Sequence, residues 1–216
     1  MLNRYRVHVV AYVFMILMMT AVTASAQEYL DNPSFETGPT GGAPAGWLAF
    51  GNMAVERENA PQFVPYEGTK LLSMWGNWSG PYNVTGIYQE FPSVPGDEWA
   101  ICIKSRHYSG DPMIGSAATG GNFVVQKIVF KDASDVEIGA NESVILDGTF
   151  ATDTWFDNQP ISAIAPAGTV EVEAFVLYVQ VDADGGAAHI DYCSFIYCGA
   201  VGVEDSSWGA IKSLYE

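Results

Sequence analysis

Residues 98–108 read Glu-Trp-Ala-Ile-Cys-Ile-Lys-Ser-Arg-His-Tyr, and this run decides the fold. As a strand it puts Trp99, Ile101 and Ile103 on one face. Cys102, Lys104, Arg106 and Tyr108 take the other, because successive strand side chains point to opposite sides. Similar β-rich runs recur outward from it between turn signals. They are 46–53 (GWLAFGNM), 70–75 (KLLSMW), 86–91 (GIYQEF), 122–131 (NFVVQKIVFK), 143–147 (SVILD), 169–181 (TVEVEAFVLYVQV) and 187–197 (AAHIDYCSFIY). Clusters of Gly, Pro, Asn, Asp and Ser separate them at 38–46, 78–82, 109–121 and 182–186. Ile87, Gln89 and Phe91 oppose Tyr88 and Glu90. The 169–181 run is apolar on both faces past Ala174, so its periodicity does not choose a side. The acids Asp132, Asp135 and Glu137 sit in a stretch that reads as a hairpin turn. About eight or nine strands, with no helical period between them, predict an all-β chain, an antiparallel β-sandwich of the jelly-roll kind.

Composition agrees and excludes other classes. A length of 216 residues suits one domain with a sizeable core. Hydrophobic residues make up 49% and charged residues 16%, which argues against disorder. The 25 acidic and 9 basic residues give a net charge of −16. A polyanion of this kind does not bind nucleic acid or anionic membrane surfaces.

Residues 1–26 read as an address. Arg4 and Arg6 precede an apolar run over 9–22, and Ala24 and Ala26 frame a cleavage site. This is a secretory signal peptide, shorter than the ~20 apolar residues a membrane-spanning helix needs. Cleavage leaves a more acidic, exported chain with no membrane span. The domain then covers 27–199. A tail over 200–216 carries Trp208, Ile211 and Tyr215 at helical spacing, with Ser206 or Ser207 as N-cap, and predicts a short amphipathic helix. Two roles stay open for it, docking on the sandwich or acting as a separate sorting tail. Cys102, Cys193 and Cys198 allow one disulfide with one thiol over. Cys102 with either partner is open, whereas Cys193 with Cys198 would close a tight loop. The count is too low for a disulfide scaffold, and three histidines without a Cys/His cluster argue against zinc.

The chain opens Leu30-Asp31-Asn32-Pro33-Ser34-Phe35-Glu36 and reaches Gly46-Trp47. Later come Tyr66-Glu67-Gly68-Thr69-Lys70-Leu71-Leu72, Ile87-Tyr88-Gln89-Glu90-Phe91 before Pro95-Gly96, and Ala188-His189-Ile190-Asp191-Tyr192. This order resembles secreted carbohydrate-binding modules of the family 4, 9, 16 and 22 type, jelly rolls with a galactose-binding-like fold. The resemblance spans about residues 30 to 197. It implies one structural calcium ion held by Ser34 and Lys70 through backbone oxygens and by Glu36, Glu67 and Asp191. Calcium takes six to eight hard oxygen ligands of this mixed kind. Here Tyr192 stands where the family often has a second acid.

A saccharide presents apolar C–H faces and a rim of hydroxyls, which flat rings and amide, carboxylate or guanidinium groups recognise. Trp75, Trp78, Tyr82, Tyr108 and Trp155 lie in turn-rich segments and are the candidate rings. Arg106, Asn77, Asn83 and Gln126 are candidate polar contacts. The binding site lies either on the concave sheet face or in the loops at one edge. Asn77, Asn83 and Asn141 open N-glycosylation patterns. No nucleophile elbow, HExxH or phosphate loop occurs, and the acids form no singled-out pair for glycoside hydrolysis. His107 and His189 read as structural. The expected function is therefore a secreted, non-catalytic module binding a neutral poly- or oligosaccharide. The alternative is an extracellular surface or adhesion protein that uses the fold for protein contacts.

Overall fold

The computed structural model describes residues 27–77, 80, 82–182 and 185–200. The signal peptide, Trp78 and the expected C-terminal helix lie outside these residues. Twelve antiparallel strands form two sheets. The first has the order β10 (Ile161–Ile164), β6 (Asp97–His107), β12 (Ala187–Ala200), β4 (Lys70–Trp75) and β3 (Asn52–Arg57). Two short strands flank it, β1 (Gln27–Glu28) on β12 and β9 (Phe156–Asp157) on β6. The second sheet has the order β2 (Leu48–Phe50), β5 (Asn83–Pro92), β11 (Glu171–Gln180), β7 (Phe123–Lys131) and β8 (Glu137–Asp147). The all-β sandwich expected from the alternating runs is the fold observed. Among the described residues no helix is long and apolar enough to cross a membrane.

The two sheets meet on the faces that the alternation selected. Trp99, Ile101 and Ile103 of β6 pack inward against Val172, Ala174, Val176 and Tyr178 of β11, all buried. Trp99 stacks on Phe195 at 4.9 Å and 8°. Burying each such aliphatic side chain is worth about 1.5–3 kcal/mol. Β11, ambiguous by pattern, faces inward through its even-numbered residues, while Phe175 and Leu177 face outward.

Three segments differ from their sequence reading. The 46–53 run is two strands in different sheets: β2 pairs with β5 and β3 pairs with β4. Gly51, at φ +82°, makes the switch, and a side chain there would overlap Thr85. The short strands β1, β9 and β10 carry no long β-rich run and escaped the pattern. The three cysteines are free. Cys193 sits in the core and Cys102 on the opposite face of the same sheet, so the alternation itself separates them.

The opening motif is explained by what it ties together. Asn32 adopts φ +52° and its side chain bridges Thr37 and Ala45. That turn drives Phe35 fully into the core beside Trp47. The Pro33 carbonyl accepts the Cys193 amide at 2.9 Å, fastening the N-terminal segment to β12.

Candidate functional site

The outer face of the first sheet carries a cavity of about 430 Å³. Its floor is built from alternating residues of neighbouring strands: Ser73 and Trp75 of β4, Ala187 and His189 of β12, and Glu56 of β3. Register puts His189 beside both Ser73 and Arg106. Tyr108, Gly110 and Asp111, in the turn that follows β6, form one wall. His107 braces that turn from inside, accepting the Met113 amide on Nδ1 and facing the Phe150 carbonyl through Nε2. Both of its ring nitrogens are used, which makes it structural, as expected.

The second wall is the connection from β3 to β4, residues 58–69, which runs as a strap across the sheet. Phe63 lies over the His189 ring at 5.6 Å, above β12. The Val64 carbonyl then accepts Arg106 Nη1 at 3.2 Å and Trp155 Nε1 at 3.0 Å, beyond β6. The strap returns through Tyr66, whose ring meets Trp155 at 6.1 Å and Tyr192 at 6.0 Å. The Tyr66 and Glu67 amides finally donate to Asp191 Oδ2 at 2.8 and 3.1 Å. Phe63 and Gln62 face the cavity.

The electrostatics of the cavity come from burial. His189 is 2% exposed, and burial, with the Arg106 and His107 charges adding, pushes its pKa down to about 3, so the ring is neutral. Its Nδ1 is buried without a partner, as is Arg106 Nε. Partnerless buried polar atoms are uncommon in folded proteins. Burial also raises the Glu56 carboxyl. Three aromatic rings, three acidic or amide side chains, a hydroxyl and a neutral imidazole thus line one cavity.

The candidate rings distribute unevenly. Trp75 and Tyr108 line the cavity together. Trp155 and Arg106 stand under the strap instead; Arg106 is 3% exposed and committed to Val64 and to Asp153 at 3.2 Å. Tyr82 is 67% exposed and does not line the cavity. Among the polar candidates, Gln126 is fully buried and donates to the Gln159 carbonyl, because its strand face points into the sandwich. Asn77 is exposed and accepts Asn52 at 2.6 Å; Asn83 is half-buried. Sequence reasoning missed Phe63, Gln62, Glu56 and Asp111, which come from a strap and a turn with no periodic signal.

The second sheet also has an outer groove, of about 540 Å³, with Phe50, Tyr88 and Phe175 along it. Its charged groups are already spent on one another, Lys131 with Glu173 at 2.9 Å and Lys127 with Glu137 at 3.7 Å. Among the described residues, Glu90, Glu171 and Glu173 are the acids whose oxygens gather within 4.8 Å, next to that same Lys131.

The expected calcium ligands gather around the turn at residues 66–70. Ser34 donates to Glu67, and Asp191 accepts the Tyr66, Glu67 and Tyr192 amides. Glu36 accepts the Thr69 and Lys70 amides at 2.9 and 2.8 Å and the Thr69 hydroxyl at 3.0 Å. Gly68, at φ +64°, is needed there, since a Cβ would overlap the Glu36 carboxylate. Lys70 Nζ donates to the Glu36 and Gly38 carbonyls. Asp191 is fully buried, and among the described residues no side-chain cation pairs with it. Burial, with Glu67 beside it, pushes its pKa up to about 7 against three opposing amide donors. Asp191 is buried, Glu36 half-buried and Glu67 exposed, and carboxylate and carbonyl oxygens are the kind of donors a hard divalent ion takes.

No family model and no curated protein matches the chain. Similar solved structures include the enzymatically active domain of a bacteriophage CBA120 tailspike protein, at 12% identity and TM-score 0.52, matched over 79% of this chain and 21% of that one. An arabinose-bound α-L-arabinofuranosidase is similar at 16% identity and TM-score 0.50, over 79% of this chain and 26% of that one. A family 61 carbohydrate-binding module in complex with beta-1,4-galactotriose aligns at 16% identity and TM-score 0.47, over 79% of this chain and 99% of that one. At these identities the likeness concerns the fold.

Proposed function

We propose that the chain is a secreted, non-catalytic module that binds a neutral saccharide in the cavity between the strap and the turn after β6. The observation that carries this reading is the lining itself. Trp75, Tyr108 and Phe63 offer ring faces, while Glu56, Gln62, Asp111 and Ser73 offer groups for hydroxyls. The resemblance of the opening and closing motifs to carbohydrate-binding modules supports it. The acidic chain disfavours sulfated or uronic polymers, because like charges repel.

The test is retention on affinity gels cast with neutral polysaccharides. Wild-type protein is retarded on at least one gel. Trp75→Ala and Tyr108→Ala lose that retention while still melting cooperatively. Retention that survives both substitutions moves the site elsewhere, and a protein retarded by no polysaccharide is a protein-contact module instead. Sustained product release from a glycoside panel would overturn the non-catalytic part.

We also infer that calcium binds Glu36, Glu67 and Asp191 with the Ser34 and Lys70 carbonyls. When bound, the ion would supply positive charge to the buried Asp191 and the two carboxylates beside it, and would join the N-terminal segment to β12. Asp191 holds the strap through the Tyr66 and Glu67 amides whether or not it also holds the ion.

A further inference from the structure

We propose that the cavity receives the end of a saccharide chain and not an internal stretch, with the strap at residues 62–66 as the element that sets this; the inference rests on the saccharide reading above. The strap runs across the first sheet from its β3 edge as far as β6. It leaves β3 at one edge, passes Phe63 over β12, lodges the Val64 carbonyl between Arg106 and Trp155 beyond β6, and comes back to Asp191. It crosses at the level of His189, near the start of β12 and the end of β6. A chain lying along the strands over Trp75 and Ala187 therefore runs into Phe63. A chain lying across the strands meets the other wall, since the turn after β6 is held beside the start of β12, where the Asp111 carbonyl accepts the Ala187 amide and Asp111 pairs with Tyr108, and Tyr108, Gly110 and Asp111 line the cavity there. The two walls make a corner, and a corner accepts a terminus.

The strap is tied down, so the corner is part of the folded state. Its contacts to Arg106, Trp155 and Asp191 come from three separate elements, and Arg106 is itself fixed by Asp153. Pre-organised walls of this kind select ligand shape without an ordering cost at binding. Beyond the strap the same sheet face is filled by Tyr66, Tyr192 and Lys104, with the Lys104 ammonium 5.0 Å from the Tyr66 ring and paired to Asp157. Nothing of the cavity continues there.

The experiment is calorimetric titration of the full chain with ladders of linear gluco-, xylo-, manno- and galacto-oligosaccharides. Each is used free, capped by a bulky group at one end, and capped at both. For the ladder that binds, affinity stays level once the chain outgrows the cavity, and capping one particular end lowers it by roughly tenfold or more. Affinity that keeps climbing with length, together with indifference to double capping, overturns chain-end recognition and leaves saccharide binding standing. No binding to any ladder overturns the saccharide reading itself. Phe63→Ala opens the strap wall, and in it the penalty for capping shrinks toward none. A variant that folds and keeps the full penalty removes Phe63 as the wall.

Discussion

At the scale of single residues, three of the five described non-glycine residues at positive φ lie where segments must be tied. Asn32, Phe35 and Tyr192 take positive φ without being glycine, and all three lie where the N-terminal segment, the strap and β12 meet. Such residues cost of order 1–3 kcal/mol each and persist where surroundings over-determine them. Gly68 belongs to the same junction. Replacing it with alanine adds backbone strain at φ +64° and a clash with Glu36. Gly68→Ala is expected to lose about 1–3 kcal/mol of stability in thermal or denaturant melts. A variant as stable as wild type would show that the Glu36 clamp on Thr69 and Lys70 yields freely. Pattern reading marked Glu36, Glu67 and Asp191 through the resemblance alone. Nothing in their spacing says that one turn would hold all three.

At the scale of elements, turns carry as much specificity as strands. Asp147 closes β8 by accepting the Thr149 amide at 2.9 Å, the Thr149 hydroxyl at 2.6 Å and the Ala117 amide at 3.1 Å. Burial opposes its ionisation, but these donors and the nearby His107 outweigh that and hold its carboxyl below the usual range. Its stabilising contribution is therefore complete above the ordinary carboxylate pKa and is lost as pH falls through the lower folded value. Asp147→Ala should cost about 1–3 kcal/mol near neutral pH. The difference from wild type should narrow in strongly acidic buffer, and a difference that widened there would contradict the assignment.

Long strands were legible because alternation is a backbone property: the faces of β6 and β5 were read from the residues alone. Β9 and β10 were not, since two to four residues give no period. The same reason hid half of the cavity. Trp75 and Tyr108 flank recognisable strands, whereas Phe63 and Gln62 ride on a strap whose path is set by distant partners such as Trp155. Gln126 failed in the opposite sense, as a polar residue read as available and found inside the sandwich.

At the scale of the whole molecule, stability divides between one core and one junction. The core runs from Trp99 and Phe195 through Ile128 to Tyr178 and is continuous. The junction joins the N-terminal segment, the 66–70 turn and β12, and it is where the proposed ion acts. Binding only the native state, calcium at a hundred times its Kd adds about 2.7 kcal/mol. Melting in calcium should therefore exceed melting in chelator by several degrees, and Asp191→Asn should abolish the increment. Identical melting curves in the two buffers would remove the ion from the account.

Β12 carries one more consequence. It pairs with β6 over most of its length, yet its pairing slips between Asp191 and Cys193. Before the slip, Ala188 and Ile190 face the core; after it, Cys193 and Phe195 do. Even numbers point inward on one side of Tyr192 and odd numbers on the other, so the strand has a reading frame, and Tyr192 is the inserted letter that shifts it. Excising that residue would join Asp191 to Cys193, whose partners Lys104 and Ile103 are already consecutive on β6, so the inward alternation would run unbroken from Ala188 to Phe195. What would be lost is the bulge itself, at φ +48°, and with it the Tyr192 ring that meets Tyr66 of the strap. The core on either side does not need the inserted residue; the strap contact does.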